Sequence, residues 1–155
     1  RYEDLFIPLT LADDSNIEEA LEIANDSFLN LRFHRDLSIA PELASKRYRK
    51  WLENSYKRGD YVSLSLQNGE IAGFVLWRFL KDRAAGIALN CISPAYQGKG
   101  LGKALFASCA ELCRSMGAET LVSGISAANL PSLNGYVRAG FLFRNPTAVF
   151  HYNVE

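Results

Sequence analysis

The stretch Ile92-Ser93-Pro94-Ala95-Tyr96-Gln97-Gly98-Lys99-Gly100-Leu101-Gly102-Lys103 decides how the rest of the chain is read. An apolar strand pattern runs into alternate glycines, and the glycines open a long helical pattern. Glycine lets a backbone turn tightly and approach a ligand closely, while the free N–H groups of a helix start attract anions. The segment therefore predicts a phosphate site, best suited to a pyrophosphate. Two other phosphate-binding loops fail on spacing. A P-loop counted from Gly98 meets Lys103 where its second glycine belongs, and no hydroxyl follows to hold Mg²⁺. The dinucleotide fingerprint G-x-G-x-x-G also needs glycine at 103. A turn that merely joins a strand to a helix would need only one or two glycines.

Outward from this loop the chain alternates strand and helix patterns. Upstream, 84–92 reads as a strand ended by Pro94, preceded by a hairpin whose arms, 61–66 and 71–80, flank Asn68-Gly69. Further back, Ile17, Ala20, Leu21, Ala24 and Phe28 lie on one helical face, with Ser15 and Glu18 spaced as a capping box. A polar loop, 32–36, leads to a helix from Pro41 to about Tyr56 with Ala44, Tyr48, Trp51, Leu52 and Ser55 inward. A short strand, 5–9, opens the chain. Downstream, Leu101, Ala104, Leu105, Cys109, Leu112, Cys113 and Met116 keep helical spacing up to Gly117, a suitable C-cap. A strand at 121–125, a helix at 129–139 and closing strands at 141–143 and 148–152 complete the pattern. One α/β domain over 1–155 accounts for it.

Composition excludes more than it assigns. The chain has 155 residues, 48% apolar and 22% charged, with 17 Lys and Arg against 17 Asp and Glu. That is ordinary for a domain with its own core and lacks the bulk basicity of a nucleic-acid binder. Three cysteines imply no disulfide framework and favour a reducing, cytoplasmic setting, with Cys109 and Cys113 as core thiols. No apolar run approaches the roughly 20 residues of a membrane span, and no secretory signal pattern is present. Arg1 in place of Met marks a processed chain or a piece of a longer one.

The motifs resemble the GCN5-related N-acetyltransferase (GNAT) family. Gln97-Gly98-Lys99-Gly100-Leu101-Gly102 is similar to that family's Q/R-x-x-G-x-G/A motif. Asn129, Ser132, Tyr136, Gly140 and Phe141 keep the spacing of its N-x-x-A-x-x-x-Y-x-x-x-G-F signature, with Ser132 for the usual Ala and Gly135 for a usual large apolar residue. The resemblance implies the GNAT fold, a central, mixed, mostly antiparallel and splayed sheet flanked by helices. It implies acetyl-CoA as co-substrate and no metal. Gln97, Gly98, Lys99, Gly100, Leu101, Gly102 and Lys103 would then hold the pyrophosphate, and Cys91 and Ile92 would pair with the pantetheine arm like an added strand. Asn129, together with Ser132, would bind the arm near its thiol end. Tyr136, with Asn129 beside it, would be catalytic as the acid that protonates the departing thiolate. The chemistry asks for the same parts: a backbone N–H for the oxyanion and a proton donor for the leaving group.

The strand 84–92 carries no Asp, Glu or His; Asn90 is its only polar side chain. A lysine acceptor, with a pKa of about 10.4, would demand a base, whereas an amine near pKa ~8 is partly neutral at pH 7. The expected acceptor is therefore a small amine of low basicity. Phe28 and Arg32-Phe33-His34-Arg35-Asp36, with Tyr48-Arg49-Lys50-Trp51-Leu52 and Ser55, resemble the N-terminal helices of the TDP-fucosamine acetyltransferase group. That likeness implies a nucleotide-linked 4-amino-4,6-dideoxy sugar as acceptor, with Arg32, Phe33, His34, Asp36 and Asn90 as substrate residues. Lys46, Arg47, Arg49, Lys50, Lys57 and Arg58 form either a solvated helix face or a diphosphate site. The partners expected are the small-molecule amine and, at most, a second copy of the chain; nucleic acid and membrane are not. A protein N-terminus or metabolite amine is the alternative acceptor, and a non-catalytic acyl-CoA-binding module the alternative class.

Overall fold

The hairpin centred on Asn68-Gly69 seeds the sheet. Both turn residues have positive φ, 54° and 86°, the twist a two-residue hairpin loop needs. They join β2 (Tyr61–Gln67) to β3 (Glu70–Phe79), which pair antiparallel. β1 (Leu9–Leu11) adds antiparallel to β2, and β4 (Ala84–Ile92) adds antiparallel to β3. β5 (Thr120–Ser123) lies parallel to β4, giving, among the described residues, a five-stranded sheet in the order β1-β2-β3-β4-β5. The computed structural model describes residues 6–28, 32–36 and 38–148, with only the backbone for Arg32 and Arg35.

A parallel pair cannot be closed by a tight turn, so α4 (Leu101–Ser115) carries the chain from β4 to β5. It packs on one face of the sheet with α5 (Leu130–Arg138), burying Leu105, Phe106, Cys109, Cys113 and Tyr136 against Val75, Trp77, Ala85 and Ile87. On the other face α1 (Ile17–Ser27) and α3 (Pro41–Lys57) bury Ala20, Leu21, Ala24, Ala44, Tyr48 and Leu52 against Leu64, Phe74, Leu76 and Leu89. β3 is covered on both faces, which is why its sequence is a continuous apolar run. Among the described residues no helix is long and apolar enough to cross a membrane.

The GNAT-type sheet expected from the sequence is present, with four corrections of detail. Among the described residues the first strand is 9–11, and Leu5 of the expected 5–9 lies outside them; the Ile7 N–H goes instead to Ser108 Oγ of α4, 2.8 Å away. The capping box does not form, because Asp13 Oδ1 accepts from Ser15 N and Oγ and α1 starts after Asn16. The loop 32–36 contains a single helical turn, α2 (Arg32–Arg35). Residues 141–143 make no strand: the Phe141 N–H closes α5 by donating to Tyr136 O, at 3.0 Å. The expected strand 148–152 lies almost wholly outside the described residues.

Candidate active site

β4 and β5 part company half-way along. Their ladder runs from Ala84 opposite Thr120 to Ile87 opposite Ser123, whereas β4 continues to Ile92 against β3. Beyond Ile87 the β5-facing edge of β4 has no strand partner among the described residues. The parting coincides with a β-bulge: Leu76 opposes Leu89 and Trp77 opposes Ile87, leaving Ala88 as the extra residue. One inserted residue reverses which face every later side chain occupies. Ala85 and Ile87 face α4; past the bulge Leu89 and Cys91 face α1 and α3, while Ile92 turns to the α4 side. Asn90 points that way too, because its Nδ2 reaches the hydroxyl of Tyr136.

The glycine loop leaves the end of this exposed strand. A single 3-10 turn (Pro94–Tyr96) reverses the chain, and Gln97 ties it back by donating from Nε2 to Ile92 O, 3.0 Å away. Gly98 and Gly100 have φ of 76° and 80°, a conformation costly for any residue with a Cβ. Added Cβ atoms at 98, 100 and 102 would meet nothing within 4 Å, so this side of the loop is open to a ligand. Gly100 starts α4 without a side-chain cap, and no acidic residue occupies the first turn. The first N–H groups of α4 are thus free to bind an anion, helped by the helix dipole and Lys103. Lys99 Nζ rests 4.8 Å from the Tyr96 ring centroid, and the Tyr96 hydroxyl is anchored on Glu70 Oε2 at 2.7 Å. The loop is therefore fastened to the β2–β3 hairpin. These features fit the pyrophosphate of a coenzyme A thioester.

Tyr136 sits where the two strands separate. Its hydroxyl accepts from Asn90 Nδ2 of β4 at 2.9 Å and pairs with Ser123 Oγ of β5 at 2.7 Å. Its ring, 1% exposed, stacks on Phe106 at 4.0 Å and meets Phe141 edge-on at 4.9 Å. Burial, partly offset by the bonds from Ser123 and Asn90, pushes the phenol up to about 12. The phenol therefore stays protonated at neutral pH. The Tyr136, Gly140, Phe141 spacing has a structural cause: Gly140 N donates to Val137 O and Phe141 N to Tyr136 O. This closure of α5 brings the Phe141 ring against Tyr136.

The sequence model described as the acetyltransferase (GNAT) family matches residues 17–141. The chain belongs to the GNAT family. It is similar to the L-methionine sulfoximine/L-methionine sulfone acetyltransferase of Salmonella typhimurium, 30% identical over 95 residues, 59% of this chain and 56% of that protein. It is also similar to an L-amino acid N-acyltransferase of Escherichia coli, 29% identical over 96 residues, 59% of this chain and 56% of that one. The chain thus spans little more than half the length of these relatives. Its fold is shared with AAC(6')-Iy in complex with the bisubstrate analogue CoA-S-monomethyl-acetylneamine, with a TM-score of 0.67 at 12% identity, covering 95% of this chain and 98% of the other.

Two departures from the GNAT signature have local reasons. A Cβ at Gly135 would come within 3.1 Å of Phe106 Cε2, so the missing side chain lets Phe106 slide under Tyr136. Ser132 is used through its backbone: its N–H donates to Asn129 Oδ1 at 3.3 Å, which caps α5. Asn129 thus has a structural duty, and its Nδ2 has no partner among the described residues. The Cys91 thiol is pushed up to about 12 by burial, so this residue of the exposed strand is not a ready nucleophile.

The residues predicted for the acceptor divide. Asn90 joins Tyr136. Phe33, His34 and Asp36 do not; they belong to the α3 side of the sheet. Phe33 is buried beside Tyr48 with the Arg47 guanidinium 4.0 Å above its ring. His34 Nε2 pairs with Ser45 Oγ at 3.1 Å, and its buried Nδ1 has no partner among the described residues. Asp36 Oδ1 accepts from Ser38 N and Oγ. The Arg32 side chain lies outside the described atoms. Most of the basic stretch is neutralised: Arg49 bridges Glu18 and Glu22, Lys50 and Lys57 share Glu53, and Arg58 meets Asp60. Ser123 and Phe106 escaped sequence reasoning. Ser123 carried one faint signal, as a hydroxyl closing the apolar run Leu121-Val122.

Proposed function

We propose that the chain is an acetyl-CoA-dependent N-acetyltransferase acting on a small primary amine by direct attack in a ternary complex. The observation that carries this is one juxtaposition: the Gly98–Lys103 anion loop leads out of the same β4 edge that opens beside Tyr136. Gly98, Gly100, Leu101 and Gly102 offer backbone N–H groups to the pyrophosphate, with Lys99 and Lys103 supplying charge and Gln97 holding the loop. The free edge at Cys91 and Ile92 takes the pantetheine arm by strand-like pairing, and Asn129 Nδ2 is the spare donor near its end. When bound, acetyl-CoA supplies an acetyl group activated as a thioester. Tyr136, protonated throughout the working pH range, gives its proton to the departing sulfur.

The acceptor follows from what the site lacks. No carboxylate or imidazole lies on β4 to deprotonate a lysine side chain, so the amine has to be partly neutral already. The names of the two relatives favour the α-amino group of a free amino acid. A nucleotide-linked 4-amino-4,6-dideoxy sugar is the second reading, favoured by Lys46 and Arg47. These cations of the α3 surface make no ion pair among the described residues, and Arg47 lies on Phe33. Acetyl-CoA with a panel of amines, followed by thiol release, tests both. Turnover is expected with one of these two classes and not with the side chain of an Nα-blocked lysine. Tight acetyl-CoA binding without thiol release from any amine would leave only a binding module.

A further inference from the structure

Ser123 stands at the point where β4 and β5 separate. It is the last residue of β5 and faces Ile87, the last β4 residue before the Ala88 bulge. Its Oγ lies 2.7 Å from the Tyr136 hydroxyl, and Asn90 Nδ2 lies 2.9 Å from the same oxygen on the other side. Three polar groups from β4, β5 and α5 therefore meet at one atom, inside an otherwise apolar surround of Phe106 and Phe141.

An amide Nδ2 can only donate, so Asn90 occupies one lone pair of the phenol oxygen. The remaining bond has two directions. If the phenol donates to Ser123, its proton is committed within the protein. If Ser123 donates to the phenol, both lone pairs are filled and the phenol proton is free. No third partner for it exists among the described residues, which leaves it available to a group bound where β4 and β5 part. We infer that Ser123 is a positioning residue for the acid: reversal of the Ser123–Tyr136 hydrogen bond makes the phenol proton available to that group, and Ser123 with Asn90 holds the charge left on the oxygen.

This inference rests on the acetyl-transfer reading and assigns the donor's support. As the carbon–sulfur bond breaks, the Tyr136 O–H bond breaks and an S–H bond forms. The phenol oxygen keeps the electron pair and receives hydrogen bonds from both Ser123 Oγ–H and Asn90 Nδ2–H. The proton lost by the acceptor nitrogen returns through water to restore the phenol, so no proton is gained or lost overall. Burial makes a bare phenolate here unfavourable, as the raised phenol shows, so two donors aimed at its oxygen matter more than they would in water.

The test is steady-state kinetics of Ser123→Ala, Ser123→Thr and Ser123→Cys, alone and with Tyr136→Phe. Losing a hydrogen bond to a developing charge predicts a kcat lower by about 10- to 100-fold in Ser123→Ala. KM for acetyl-CoA should stay within about two-fold, since the lost bond acts on the departing group and not on binding. Ser123→Thr, which keeps the hydroxyl, should recover most of the rate. Ser123→Cys, close in volume but a weak donor, should not, and it serves if the alanine variant folds poorly. In the Tyr136→Phe background, removing the Ser123 hydroxyl should cost nothing further. A Ser123→Ala enzyme as fast as the parent, or an equal loss with and without the Tyr136 hydroxyl, overturns the inference and leaves acetyl transfer standing. A parent chain that releases no thiol with any amine overturns the acetyl-transfer reading, and this inference with it.

Discussion

Tyr136→Phe separates the chemistry of the hydroxyl from the packing of the ring. The ring contacts with Phe106 at 4.0 Å and Phe141 at 4.9 Å survive the change, and only the oxygen between Ser123 and Asn90 is lost. At pH 7 the variant should be less stable by roughly 1–3 kcal/mol, because two part-buried polar groups lose their partner. The pH dependence is more telling. The phenol ionises at about 12 in the fold against an ordinary value of 10.0. Between those values the unfolded chain gives up the proton while the folded chain keeps it, so ionisation favours unfolding. The stability linked to Tyr136 is whole below pH 10 and is lost as pH rises through 12, a swing of roughly 3 kcal/mol. The assay is urea unfolding of both proteins at intervals from pH 7 to pH 11.5. The difference between them cancels the other tyrosines and the cysteines. It should favour the parent below pH 10 and shrink above it. Curves that stay parallel would refute the buried, bridged phenol. Turnover of the variant should fall by about 10²–10⁴-fold with acetyl-CoA binding nearly unchanged.

Three further outcomes follow from the glycines and the cap. Gly100→Ala places a Cβ at φ 80° in open space, so calorimetry should show acetyl-CoA binding weakened about ten-fold, reflecting the strain of roughly 1–2 kcal/mol. Gly73→Ala sets a Cβ 2.7 Å from Cys91 O and 2.9 Å from Ile92 Cδ1, forcing β3 from β4. Overpacking of this kind costs about 1–3 kcal/mol, read as a fall in Tm of roughly 3–10 °C. Asn129→Asp keeps the oxygen that caps α5 and removes the spare Nδ2 donor; Tm should hold while KM for acetyl-CoA rises, whereas Asn129→Ala should also lose about 1 kcal/mol of stability.

Local signals carried the fold where they were strong and single-minded. Asn68-Gly69, the Gly98–Gly102 run and the helical spacing of 101–116 each have one good structural solution, and the structure takes it. The capping box at Ser15 and Glu18 failed because Asp13, two residues away, competes for the same serine at shorter range. Residues 141–143 read as a strand because apolar residues that finish a helix closure look like apolar residues that pair. At the site, Tyr136 and the loop were legible because their spacing is set within single elements. Ser123 and Phe106 were not, since their link to Tyr136 depends on how β5, α4 and α5 pack in space. The Ala88 bulge was equally hidden: it exists only relative to the partner strand, yet it is what turns Asn90 toward Tyr136.

We propose that one surface, from the open edge of β4 through the glycine loop, holds acetyl-CoA beside Tyr136. Titrating acetyl-CoA into ¹⁵N-labelled protein while following every backbone amide locates the bound molecule. The largest shifts are expected at Gly98, Lys99, Gly100, Leu101, Gly102 and Lys103 and along β4 beyond Ile87, with Ser123 and Tyr136 following. Shifts gathered instead on the outer face of α3, around Lys46 and Lys50, with the glycine loop unmoved, would contradict it.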